Sequence, residues 1–133
     1  ANEGCLNSLG QGAKLGATGN ASLSNDTLHL NGSQMPNSSA LYFQGTAQQT
    51  AGAGALFGDG LRCAAGAITR LGTKTNAGGA STYPGLGDQS VSQRGAVLGA
   101  GTREYQVWYR NSAAFCTAST FNLTNGLQVT WVP

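Results

Sequence analysis

The clearest hydrophobic pattern in the chain lies between residues 103 and 111. The segment REYQVWYRN places an apolar side chain at every second position, and a period of two is typical of a strand with one buried face. Tyr105, Val107 and Tyr109 are predicted to point to one side of this strand, and Gln106, Trp108 and Arg110 to the other.

The C-terminal end of the chain carries a second strong pattern. Two alternating runs, STFNLT and GLQVTWV, flank the dipeptide Asn125-Gly126. Asn-Gly between alternating runs is a strong hairpin signal, because both residues tolerate the positive φ of a two-residue turn. The pattern predicts a hairpin whose second strand turns Leu127, Val129 and Trp131 toward the core.

Shorter runs upstream have the same character. Leu28 and Leu30 alternate with polar residues, ALYFQG (residues 40–45) is a short aromatic run, and residues 61–72 predict two short strands or one strand bent near Gly66. Gly- and Asn-rich turns separate the runs at intervals of roughly 8–12 residues, and no capped amphipathic helix is present. We therefore predict an all-β fold, a two-layer antiparallel β-sandwich of the jelly-roll or Ig-like kind.

Two segments lack a clear period. Residues 1–14 are rich in Gly and Asn, with Leu6 and Leu9 as their large apolar side chains, and predict an N-terminal arm ahead of a single domain over residues 15–133. Residues 73–88 predict a loop that is long for a compact domain. Such a loop is expected either to carry function or to cover a sheet edge.

Composition narrows the class of protein. Only 12 of the 133 residues are charged, 7 basic and 5 acidic, or 9% against about 25% in an average domain. So few charges exclude a nucleic-acid footprint, and no apolar run approaches the ~18 residues of a membrane span. Ser, Thr, Asn and Gln instead supply 43 residues. A surface of amides and hydroxyls is typical of secreted β-rich domains and predicts an extracellular or cell-surface location.

Residues that carry chemistry are few. His29 is the only histidine, and the sequence contains neither a Gly-x-Ser-x-Gly elbow nor a Cys-x-x-Cys pair. We therefore expect no catalytic site, no metal site and no cofactor. Calcium held by loop carbonyls with Asp59 or Asp88 is the alternative, although the Asp-x-Asp-x-Asp spacing of a calcium loop is missing.

The chain has three cysteines, and their pairing is open. Cys63 and Cys116 both lie in well-patterned regions and predict a disulfide, which the loop-entropy model values at about 4 kcal/mol. Two buried free thiols are the alternative. Cys5 is then unpaired or bonded to another chain.

Two aromatic side chains are candidates for stacking on a sugar. Tyr83 precedes Pro84 in the long loop and is the better candidate for an exposed ring, and Trp108 lies on the alternating strand over residues 103–111. Ordinary core packing of one aromatic set is the alternative interpretation.

Six stretches of the chain carry a resemblance to a known type of module. They are GCLNSLG (4–10), MPNSSALYFQGT (35–46), FGDGLRCAAG (57–66), RLGTKTNAGGAS (70–81), YQVWYRNSAAFCT (105–117) and FNLTNGLQVTW (121–131). In this order they resemble a cassette found at the C-terminal ends of large secreted proteins of planctomycetes and related environmental bacteria. The resemblance implies a secreted bacterial origin and a β-rich C-terminal module. Some relatives replace the cysteine of FCT by one near the position of Val132, which implies Cys116 as the partner of Cys63.

These observations leave two expected functions. The first is a non-enzymatic extracellular structural module for assembly, fibre formation or surface attachment. In it Leu6 and Leu9 would enter pockets on another copy, or on another segment of a longer secreted protein, and Cys5 could lock the contact. The alternative is an arm that folds back on its own sandwich. The second is a carbohydrate-binding module of the β-sandwich type that uses Tyr83 and Trp108.

Overall fold

The computed structural model describes residues 4–5, 7–48, 55–57, 60–111 and 120–133. Twelve strands and one short helix, α1 (Val91–Arg94), are assigned within these residues. The strands are β1 (Lys14–Thr18), β2 (His29–Ser33), β3 (Ser39–Gly45), β4 (Ala47–Gln48), β5 (Ala55–Phe57), β6 (Gly60–Arg62), β7 (Ala64–Ala65), β8 (Thr69–Thr75), β9 (Ser81–Tyr83), β10 (Gly101–Arg110), β11 (Phe121–Leu123) and β12 (Leu127–Trp131).

Two antiparallel sheets pack against each other. The smaller sheet has the order β1-β2-β9, and the larger has the order β11-β10-β3-β8, with β12 also paired to β10. The predicted all-β class with antiparallel sheets is therefore observed, and the arrangement is consistent with a β-sandwich. The main core lies between the sheets and contains Leu15, Leu28, Leu30, Met35, Tyr42, Leu71, Tyr83, Val91, Tyr105, Val107, Tyr109 and Trp131.

The strand predicted from alternation is the centre of the larger sheet. β10 pairs with β3 on one side and with β11 and β12 on the other. Tyr105, Val107 and Tyr109 are each 0% exposed, so theirs is the side of the alternating strand that faces the main core. Trp131 is buried as well, and Leu127 and Val129 pack against the same core.

The predicted hairpin at Asn125-Gly126 is wrong. β11 and β12 both pair with β10, β11 with its C-terminal end and β12 with its N-terminal half, so they are two parts of one edge strand. The register shifts by one residue between them, which makes residues 124–126 a bulge. The Asn125 side chain accepts a hydrogen bond from the Leu15 amide (2.8 Å) and donates one to its carbonyl (3.1 Å). It thereby fastens the bulge to the edge of β1 instead of turning the chain.

The segment predicted as one long loop contains more regular structure than its sequence indicates. β8 continues through Thr75, and β9 follows after a turn in which Gly78 and Gly79 have φ of 61° and 78°. Left-handed backbone of this kind favours glycine. α1 follows β9 and is capped by Ser90, whose hydroxyl accepts from the Gln93 amide (3.4 Å).

Candidate ligand-binding cleft

The outer face of the larger sheet has a small apolar cluster of its own. Phe43 on β3, Leu123 on β11 and Ala64 on β7 are buried together, with Trp108 half-buried beside them. Trp108 thus lies on the face opposite the main core, on the other side of β10 from Tyr105, Val107 and Tyr109. One part of this face is covered by the segment that contains Cys63 and β7, called the covering segment below, and the other part is open.

Gln106 holds the covering segment in place. Its side-chain oxygen accepts hydrogen bonds from the backbone amides of Cys63 (2.8 Å) and Ala64 (3.3 Å). Its side-chain nitrogen donates to the carbonyl of Thr124 in the bulge (2.7 Å). Gln106 is 0% exposed, so these bonds are shielded from water. One buried amide therefore ties the covering segment to the bulge.

The open part of the face forms a cleft of about 880 Å³. Its apolar floor crosses two neighbouring strands, with Leu41 and Phe43 on β3 and Trp108 on β10. β8 contributes one wall through Arg70 to Thr73, and Ile68, 40% exposed, stands next to that strand. The cleft is therefore an exposed trough across the sheet rather than an enclosed cavity.

Arginine dominates the charge of this cleft. Four of the five arginines of the chain, Arg62, Arg70, Arg94 and Arg110, line it. Among the described residues that line the cleft there is no aspartate, glutamate or lysine. The four arginines come from four separate places in the sequence, so no local pattern indicated that they lie together.

Two of the arginines are held by specific contacts. The Arg110 guanidinium lies over the Trp108 ring, 5.4 Å from its centroid, and donates to the Thr120 hydroxyl (3.4 Å). The Trp108 ring in turn packs on Phe121, with centroids 5.3 Å apart. Arg62 donates from Nε to the carbonyl of Ala64 (3.1 Å). Both guanidinium groups are thus positioned without a carboxylate partner among the described residues.

The expectation that Tyr83 is an exposed stacking ring is wrong. Tyr83 is 2% exposed because it lies on β9, where its ring turns inward and packs beside Tyr42 (centroids 6.3 Å apart). Its hydroxyl donates to the carbonyl of Gln89 (3.1 Å), and burial raises the pKa of this phenol. Tyr83 and Trp108 therefore lie on opposite sides of the larger sheet and cannot contact one ligand together.

The described part of the N-terminal arm packs on its own domain. Asn7 is 0% exposed, and its side-chain nitrogen donates to the carbonyl of Gln34 (2.9 Å) and to the hydroxyl of Tyr109 (3.2 Å). Its side-chain oxygen accepts from the Leu9 amide (2.9 Å), while the Leu9 side chain is 55% exposed. Leu6 lies outside the described residues. The described part of the arm thus makes the intramolecular contacts of the fold-back alternative.

The cysteine pairing stays a prediction. Cys5 and Cys63 are both half-buried and are not bonded to each other, and Cys116 lies outside the described residues. Cys63 packs closely against the bulge. A Cβ atom added to Gly126 would lie 2.6 Å from the Cβ atom of Cys63. Gly126 is therefore required by close packing rather than by a turn.

Other candidate sites find little support in the geometry. Asp88 accepts a hydrogen bond from Lys74, and this bond, together with one from the Gly85 amide, lowers the pKa of its carboxyl. Asp59, the other calcium candidate, lies outside the described residues. Within the part of the chain that the structure describes, no three His, Cys, Asp or Glu side chains are grouped to hold a metal ion. None of its helices has the length and apolar character needed to cross a membrane.

Comparison with protein-family models, with curated proteins and with solved structures gave no match to this chain.

Proposed function

We propose that this chain is a non-enzymatic extracellular attachment module that holds a polysaccharide in the cleft on its outer sheet face. The observation that carries the proposal is the open trough itself, with the half-buried Trp108 in its floor. Aromatic and apolar floors bordered by a few polar groups are typical of ligand sites. The low charge of the chain and its resemblance to a secreted cassette support the location.

The shape of the cleft favours a chain-like ligand over a small molecule. Pockets for small molecules enclose most of the ligand surface. This trough instead lies open across β10, β3 and β8, which suits a polymer that passes over the face with only a few units in contact. We further propose jelly-roll or Ig-like connections for the sandwich, a topology in which such faces are rigid.

Replacing Trp108 with alanine is expected to weaken polysaccharide binding about tenfold, because the change removes the aromatic floor and the ring that supports Arg110. Affinity electrophoresis in gels containing dextran, dextran sulfate or alginate measures the effect. The control is Leu98→Ala, which removes a 91% exposed apolar side chain outside the cleft. Equal retardation of both variants and the parent, with both folded by circular dichroism, would contradict the proposal.

Assembly with other copies is a second candidate function. The observation in its favour is β8, which pairs with β3 on one side and with no described strand on the other. Such an edge can accept a strand from a second chain. This candidate is argued from the edge of β8, while the described contacts of the arm through Asn7 lie within its own domain.

Deleting residues 1–13 is expected to lower the free energy of unfolding by about 2 kcal/mol or more, because it leaves the carbonyl of Gln34 and the hydroxyl of Tyr109 without Asn7. Light scattering should show an unchanged mass in solution. Asn7→Ala in the full chain removes these two bonds without shortening it and should reproduce part of the loss, since the deletion also takes away buried Ala13 and the bonds of Ser8 with Asn111. A truncated chain that keeps its stability but loses an oligomeric state would instead establish the arm as an assembly element.

A further inference from the structure

The arginines of the cleft define the chemistry of what it can hold. Four arginine residues line one trough on a chain whose net charge is only +2. The chain's two lysines lie elsewhere, and one of them, Lys74, is paired with Asp88. The positive charge of this molecule is therefore concentrated at the cleft rather than spread over its surface.

These arginines have no carboxylate neutralising them within the described chain. The ion pair between Lys74 and Asp88 is the one found among the described residues, and it lies outside the cleft. Like charges gathered on one face repel each other unless an anion or counterions compensate them. A ligand that carries negative charge would supply that compensation and gain affinity from it.

The choice of arginine points to an oxyanion ligand. The planar guanidinium group donates two parallel hydrogen bonds to carboxylate or sulfate, whereas a lysine ammonium acts as a point charge. Arg62 and Arg110 are already oriented by contacts with Ala64 and Trp108. These two side chains are therefore partly ordered before a ligand arrives, and less conformational entropy is lost when the ligand binds.

The position of Arg110 disfavours a neutral sugar stacked on Trp108. Its guanidinium occupies one face of the ring, and Phe121 packs beside the ring at 5.3 Å. A neutral sugar would have to displace the guanidinium to stack there. An acidic sugar can leave it in place and accept its hydrogen bonds.

We infer that the polysaccharide held in this cleft is acidic and carries carboxylate or sulfate groups along its chain. This inference rests on the proposed function, because it names the class of ligand for the same site. Carboxylate and sulfate offer the same paired oxygens to a guanidinium group, so a polyuronate and a sulfated glycan are the two sources of this chemistry.

The experiment compares matched polymers. Alginate is tested beside its carboxyl-reduced form, and dextran sulfate beside dextran, at several salt concentrations. We expect binding to at least one acidic member, at least tenfold weaker binding to its neutral partner, and a steady fall in affinity with rising salt. The member that binds identifies carboxylate or sulfate as the preferred group.

Charge variants locate the effect. The double change Arg70→Gln and Arg110→Gln should weaken binding to the acidic polymer at least tenfold and flatten its salt dependence. Arg103→Gln is the matched control, since Arg103 is the arginine outside the cleft and donates to the carbonyl of Thr102 beside it. That control should bind within about twofold of the parent, as expected for an exposed charge with no ligand contact.

Each remaining outcome would contradict either the inference that the polysaccharide is acidic or the proposed function itself. Equal binding to acidic and neutral partners removes the inference and leaves the proposed function standing. No binding to any of the four polymers removes the proposed function itself. Binding of a single-stranded oligonucleotide as tightly as the best glycan would show a general polyanion site and overturn the assignment to sugars.

Discussion

Replacing Trp131 with alanine is expected to lower the free energy of unfolding by about 3–5 kcal/mol. Trp131 is 1% exposed and is the largest fully buried side chain of the described chain. Its removal leaves a large cavity between the sheets and takes away the hydrogen bond from its indole nitrogen to the hydroxyl of Tyr105 (3.0 Å). Urea unfolding followed by circular dichroism measures the loss.

The neighbouring residue provides the control for this prediction. Val132 is 50% exposed, so Val132→Ala should change the stability by less than about 1 kcal/mol. Tyr105→Phe should fall between the two, because it removes only the hydroxyl that links the network. If Trp131→Ala and Val132→Ala unfolded at the same urea concentration, the position of Trp131 in the core would be refuted.

The hydroxyl of Tyr105 connects three parts of the fold. It accepts from Trp131 and donates to the side-chain oxygen of Gln44 (2.8 Å), and Gln44 donates from its nitrogen to the carbonyl of Gly95 after α1 (2.9 Å). Burial raises the pKa of this phenol above its ordinary value. Tyr105 therefore stays protonated at neutral pH, which the donated hydrogen bond requires.

Strong alternation made the central strand predictable. Three apolar side chains at every second position lie on one face of a strand, so β10 and the placement of Tyr105, Val107 and Tyr109 on the same side follow from the sequence alone. Trp108 lies on the other side, and tertiary packing decides which of the two sides is buried in the main core. The short strands β1 and β9 carry no such row, and their pairing with β2 decides their conformation.

Turn signals were less informative, because they are local. Asn125 and Gly126 have the composition of a hairpin turn, yet each serves a distant contact, with Leu15 on β1 and with Cys63. Nothing within a window of a few residues reveals these partners. A dipeptide that suits a turn also suits a bulge in an edge strand.

The cleft was beyond sequence reasoning for a related reason. Arg62 and Arg110 stand 48 positions apart, and both line the cleft because β6, which carries Arg62, packs against β11, the neighbour of β10. Pairing between distant strands is set by tertiary packing rather than by local pattern. Trp108 was a candidate in advance because it is an aromatic side chain on the clearest strand, and the structure places it on the outer face.

Replacing Gln106 with leucine is expected to cost about 3 kcal/mol or more, despite the similar size of the two side chains. The change leaves three backbone groups without their partner, the amides of Cys63 and Ala64 and the carbonyl of Thr124. An unsatisfied buried group costs about 1–3 kcal/mol. Gln106 is fully buried, so water cannot replace the lost bonds unless the covering segment moves away.

The position of that cost in the structure can be measured by amide hydrogen exchange. In Gln106→Leu we expect the amides of Cys63 and Ala64 to exchange at least tenfold faster. The exchange rates of amides in the centres of β3 and β10 should change only as far as the overall stability of the protein changes. Gln93→Leu, a matched change at an exposed glutamine of α1, should leave both the stability and the exchange pattern close to those of the parent.

Because the covering segment and the cleft share the outer sheet face and Arg62 spans them, Gln106→Leu should also weaken binding to the acidic polymer. An unchanged unfolding midpoint and unchanged exchange at Cys63 and Ala64 would show that Gln106 does not hold the covering segment.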